Sequence, residues 1–78
     1  MDSHHEIRLD ADSALVLFEF LSRLEDDDKL SIDDASEEFV LSRVHGLLQR
    51  ALVEPLKTDY RELLKQARSR IRHQAGVE

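Results

Sequence analysis

The stretch Ala14–Leu24, Ala-Leu-Val-Leu-Phe-Glu-Phe-Leu-Ser-Arg-Leu, constrains this chain more than any other. Apolar residues at 14, 15, 17, 18, 20, 21 and 24 recur at helical spacing, and Val16 extends them onto a further face. At about 100° per residue they cover roughly 220° of a helix surface, about twice what an ordinary surface helix needs. Such a helix is expected to be touched on most sides, by other helices of the chain or by a second copy. Only Asp12, Glu19 and Arg23 mark a wet edge.

The rest of the composition says what surrounds that helix. Seventy-eight residues make one domain with a modest core. Chains of this size often gain stability from disulfides, metals or self-association. With no cysteine, disulfides and thiolate metal sites are excluded. No apolar run approaches the roughly 18–20 residues of a membrane span. The polar start Met1-Asp2-Ser3-His4-His5-Glu6 is not a secretory signal, so a cytoplasmic location is expected. Two glycines, one proline and 36% charged residues suit a helical domain. The net charge of −6 is unevenly spread: residues 1–38 hold thirteen acids and three bases, residues 39–78 four acids and eight bases. An acidic chain is repelled by nucleic acid and anionic membranes unless one basic face acts alone.

In chain order, residues 1–5 are expected to be flexible. His4 and His5 are read neither as a metal site nor as a cloning remnant. Glu6-Ile7-Arg8-Leu9 alternates as an extended segment does. Asp10 caps the first helix by accepting from the Ser13 amide, with Leu9 and Ala14 at staple spacing. That helix is placed at about 11–25. The acids Glu25, Asp26, Asp27 and Asp28 then meet the negative end of its dipole and belong to a solvated turn or face a cation. Lys29-Leu30-Ser31-Ile32 alternates again, so 6–9 and 29–32 are candidates for a short two-stranded pair.

Asp33 or Asp34 caps the second helix, about 34–52, and Asp34 with Glu37 has capping-box spacing. Val40, Leu41, Val44, Leu47, Leu48, Ala51 and Leu52 form one arc of roughly 140°. Phe39 projects from the far side, where it either covers Leu30–Ile32 or serves as a docking knob. Pro55 breaks the chain and pushes Glu54 out of helical geometry. Thr58 or Asp59 caps the third helix, and Asp59 with Glu62 has box spacing. Tyr60, Leu63, Leu64, Ala67 and Ile71 make its apolar stripe, while Arg61, Lys65, Arg68, Arg70 and Arg72 make it basic. Residues 74–78 are expected to fray.

Asp26, Asp28 and Glu37 fall at positions one, three and twelve of the EF-hand spacing. Leu30 at position five cannot ligate through its side chain, and Ser31 stands where the turn needs glycine. No Gly-x-Ser-x-Gly elbow or phosphate-cradling loop is present, the glycines being Gly46 and Gly76. His45, at the margin of the apolar arc, reads as a boundary residue rather than a general base. No two carboxylates are forced together in an apolar pocket. The chain therefore reads as a non-enzyme without cofactor, metal or small-molecule substrate. The basic third helix lacks a preceding helix-turn-helix, and the acidic half lies within one or two Debye lengths of any phosphate it might bind, so nucleic acid is not expected as a partner. Its bases answer acids of the same chain or of a neighbouring copy.

The order of parts, Ile7-Arg8-Leu9, then Ala14–Leu21, Glu38–Leu41, Leu52-Val53-Glu54-Pro55-Leu56, Tyr60 and Leu63-Leu64 with Ala67-Arg68, resembles a family of small uncharacterised bacterial helical proteins over about residues 7–72. The resemblance implies a bacterial, cytoplasmic origin and carries over no functional residue. The expected fold is all-α, a three-helix bundle with the first helix central. The expected function is a non-catalytic protein–protein interaction module that self-associates as a homodimer, with Val16, Phe20 and Phe39 on the shared surface. The alternative is an acidic inhibitor or immunity-type protein that blocks a basic nuclease or nucleic-acid-binding partner through Asp26, Asp27, Asp28, Asp33, Asp34, Glu37 and Glu38.

Overall fold

The computed structural model describes residues 3–27 and 32–77, and for Asp26 and Asp27 the backbone alone. It is an all-α bundle: α1 (Ala11–Asp27), α2 (Ala35–Ala51), a 3₁₀ turn at Glu54–Leu56, and α3 (Tyr60–Ala75). No strand occurs among the described residues. Residues 6–9 carry no regular structure and Ile7 is exposed, so the first half of the suggested pair is not formed as a strand. Of its second half only Ile32 is described; Lys29, Leu30 and Ser31 lie outside the described residues. The backbone of α1 runs two residues past the expected end at 25. Glu25 is exposed, and solvent screens the dipole penalty on such an acid, so it does not stop the helix there.

The local signals explain most boundaries. Asp10 Oδ1 accepts from the Ser13 amide at 2.7 Å, and the Ser13 hydroxyl first, with this amide second, holds its carboxyl below the usual carboxylate range. The reciprocal box of α2 is complete. The Ser36 amide donates to Asp34 Oδ2 at 2.8 Å, while Glu37 Oε1 accepts from the amides of Asp33 (2.8 Å) and Asp34 (3.3 Å). The expected box at Asp59 is not formed. Asp59 has φ −97° and ψ 24° rather than the extended geometry of a side-chain cap, and its backbone carbonyl accepts from Glu62 and Leu63 instead.

The break between α2 and α3 also differs from expectation. Leu52 is already extended, so α2 ends before the proline acts, and Glu54 begins a 3₁₀ turn rather than leaving helical geometry. Proline is tolerated there because the first amides of a turn have no internal acceptor. At the other end α3 does not fray after 73. Gly76 adopts φ +72°, its amide donates to His73 O, and the Val77 amide donates to Arg72 O, a two-bond closure that only a left-handed residue permits.

Helix α1 packs against both α2 and α3, which makes it the centre of the bundle. Against α3 the core is Leu15, Leu64 and Ala67, the last with 0% exposure, flanked by Val16, Leu52, Tyr60 and Leu63. Of the residues read as a wet edge of α1, Asp12 and Glu19 lie on this seam, while Arg23 is exposed as expected. Asp12 accepts two bonds from Arg70 (2.7 and 2.9 Å), and Glu19 accepts from the Tyr60 hydroxyl at 2.8 Å. A stripe seen as polar in the sequence becomes the border of the core once α3 supplies matching donors, and part of the α3 basicity is answered within the chain.

Against α2, Phe18 and Leu21 are buried on the α1 side, but α2 contributes no buried residue. Its expected apolar arc is split: Leu41, Val44, Leu48 and Leu52 are half-covered, whereas Val40, Leu47 and Ala51 face solvent. The whole chain exposes 6706 Å², against about 4,900 Å² for a compact monomer of 9.0 kDa. Its radius of gyration is 14.1 Å, against about 11.5 Å for a compact domain of this length. The bundle is open, and the opening lies mainly at α2 and the lead-in.

Candidate functional site

The α1–α2 seam carries the one side-chain constellation with chemical character among the described residues. Ser22 and Glu25 stand three residues apart on α1 and so share a face; Phe18 is one turn before Ser22. His45 of α2 lies among them. Its Nε2 is 2.9 Å from Ser22 Oγ, its Nδ1 is 3.1 Å from Glu25 Oε1, and its ring is tilted against Phe18 at 4.9 Å between centroids. His45 is therefore more than the boundary residue it seemed in the sequence: it is the main polar tie between the two helices.

Serine, histidine and glutamate in this order have the connectivity of a hydrolytic triad. The surroundings give them a different role. The Ser22 hydroxyl donates to Phe18 O at 3.0 Å, one turn back along its own helix. The direction of the Ser22–His45 contact follows the imidazole tautomer: a neutral ring with its proton on Nδ1, toward Glu25, accepts at Nε2, and a ring protonated at Nε2 donates to Ser22 Oγ. Catalysis of acyl transfer also needs free amides aimed at the developing oxyanion, whereas amides inside a helix are bonded to the preceding turn. The contact with Glu25 becomes an ion pair when the ring carries both protons. The arrangement ties α1 to α2 through side chains 23 residues apart.

Beside His45 the two helices part and leave a cleft of about 120 Å³. Leu21, Leu24, Ile32 and Leu41 line it, with Glu25 and Glu38 at its rim. It is open to solvent and smaller than the roughly 300–1,000 Å³ of a ligand pocket. No group of three or more residues able to hold a metal ion occurs among the described residues.

The residues singled out by sequence are scattered. Val16 is half-buried and packs on the Leu15–Leu64–Ala67 core, so its principal contact is within the chain. Phe20 is 45% exposed beneath the Arg23 guanidinium, 5.8 Å from its ring centroid. Phe39 is 63% exposed, with the Arg43 guanidinium 4.9 Å above its ring. Of the segment it was expected to cover, Leu30 and Ser31 lie outside the described residues. Asp34 and Glu37 are engaged in capping α2, Asp33 and Glu38 are exposed, and the side chains of Asp26, Asp27 and Asp28 lie outside the described residues.

What the sequence reading missed is the outward stripe of α2. Phe39, Val40, Arg43, Leu47 and Arg50 are exposed and share one side of the helix. Val40 and Leu47 stand seven residues apart at one margin of the apolar arc, and periodicity alone does not separate them from the half-covered Leu41, Val44 and Leu48. No helix among the described residues is long and apolar enough to cross a membrane. No family model, curated protein or solved structure matches the chain.

Proposed function

We propose that this protein is a non-catalytic interaction module that associates with a second copy of itself. The observation that carries the reading is that α2 buries no residue while Phe39, Val40 and Leu47 are all more than half exposed. Soluble monomers seldom leave a contiguous apolar stripe open, and such a stripe marks an association site. The motive for self-association thus lies mainly on α2, since most of the apolar girth of α1 is used within the bundle and Phe20 alone of its large apolar residues is exposed.

An acidic inhibitor of a basic partner has less support, because Asp34 and Glu37, two of the acids it would present, already satisfy the amides that open α2. Sedimentation equilibrium from one to several hundred micromolar tests the reading. A mass rising from 9.0 kDa toward twice that value is expected. A constant monomer mass across the range would overturn it.

A further inference from the structure

Given self-association, the side chains along α2 go on to define its geometry. We infer that two copies pair through α2 in antiparallel fashion about a two-fold axis that passes between Arg43 and Val44.

Three features lead there. The exposed apolar residues Val40 and Leu47 are seven apart, hence on one face and about 10 Å apart along the helix. In an antiparallel pair centred between 43 and 44, Val40 of each copy lies across from Leu47 of the other, so these two exposed apolar side chains cover each other.

The charges along the helix select the same direction. The opening of α2 is acidic, with Asp33, Asp34, Glu37 and Glu38, and its exposed cations are Arg43 and Arg50. Antiparallel pairing sets Arg50 of each copy beside the Glu37 turn of the other. Parallel pairing sets acids against acids and Arg50 against Arg50, which costs free energy. The helix dipoles likewise oppose when the helices run antiparallel.

The third feature is the placement of Arg43, the cation nearest the axis. Its guanidinium folds back over its own Phe39 ring at 4.9 Å, which turns the charge away from the partner's Arg43 and leaves the aliphatic stem to line the seam. A seam of about three helical turns covers less than a standard interface, so a weak dimer, micromolar or looser, is expected.

The chain has no cysteine, so single cysteines report the geometry without background. Under mild oxidation Arg43→Cys, beside the axis, is expected to form the disulfide dimer at least tenfold faster than Ser36→Cys or Ala51→Cys alone. A mixture of Ser36→Cys and Ala51→Cys is expected to give the mixed dimer efficiently, because these positions face each other across the axis. In an antiparallel pair the two copies of residue 36 are about 22 Å apart. Rapid self-crosslinking of Ser36→Cys would indicate parallel helices and overturn the inference. Leu47→Asp, at a solvent-exposed site, is expected to weaken the dimer at least tenfold with helical circular dichroism unchanged.

If sedimentation shows a dimer but none of these cysteines crosslinks as described, the α2 geometry falls while self-association stands, the exposed Phe20 side of α1 being one other apolar surface. If sedimentation shows a monomer throughout, both fall together.

Discussion

Leu15 and Leu21 of α1 are about equally buried, but what they meet differs. Leu15 meets Leu64 and the fully enclosed Ala67 of α3, a small residue that lets two helices approach and fill the space between them. Leu21 borders the cleft toward α2, where the opposing residues are Leu41, half-covered, and Ser42 and Glu38, exposed. The α1–α3 seam is closed by volume, with Tyr60–Glu19 and Arg70–Asp12 as its border. The α1–α2 seam is located by polar contacts around His45 and filled only on the α1 side. A polar tie fixes how two helices sit, but it excludes little water. The helix held in this way is also the one with apolar surface to spare.

The contrast is broken most directly by truncation. Leu64→Ala should destabilise by about 2–5 kcal/mol, the range for deleting a fully buried leucine, whereas Leu41→Ala, half-covered, should cost under about 1 kcal/mol. Urea unfolding followed by circular dichroism compares them. Equal losses would mean that the α2 seam is as well packed as the α3 seam.

A smaller effect is expected from His45→Ala, about 1 kcal/mol for the lost bonds to Ser22 and Glu25. Its consequence should be local. Native-state hydrogen exchange should speed up in α2, and amides of α1 and α3 that face Leu15 and Ala67 should stay protected. Uniform loss of protection would show that the two seams open as one unit.

The smallest changes concern the polar border of α3 and are read by pH. Tyr60 is the single tyrosine in a chain without tryptophan, so its ultraviolet titration is clean. Burial first, and donation to Glu19 second, raise its pKa from 10.0 to about 12. The folded value lies above the unfolded one, so this contribution is present below pH 10 and is lost as pH rises toward 12. Glu19→Gln should move the midpoint only part of the way back, because burial remains. On the acid side, Asp12, held low chiefly by its bonds from Arg70, contributes above its ordinary value of 3.8 and is lost as pH falls below it. A Tyr60 midpoint at 10 in the folded protein would mean that the border is solvated and the seams are alike.

How much of this was legible in the sequence varies from residue to residue. The Asp34–Glu37 box and the Asp10 cap could be read because their partners lie two to four residues away along the chain. Asp59 followed the same spelling without the same result, since the 3₁₀ turn before it sets a backbone angle from which its carboxylate does not cap the helix. His45 and Ser22 are 23 residues apart, and Arg70 and Asp12 are 58 apart. Nothing in the local pattern distinguishes such side chains from solvated ones.

The sequence by itself determined three helices, their order, and the central place of the segment around Leu15–Leu21, because hydrophobic periodicity and capping act over a few residues and hold in any packing. Only the tertiary structure decided which apolar face would stay open. That choice depends on the angle at which each helix meets α1, and the angle is set by a small residue at 67 and an imidazole at 45, whose effect exists only when the helices are in contact.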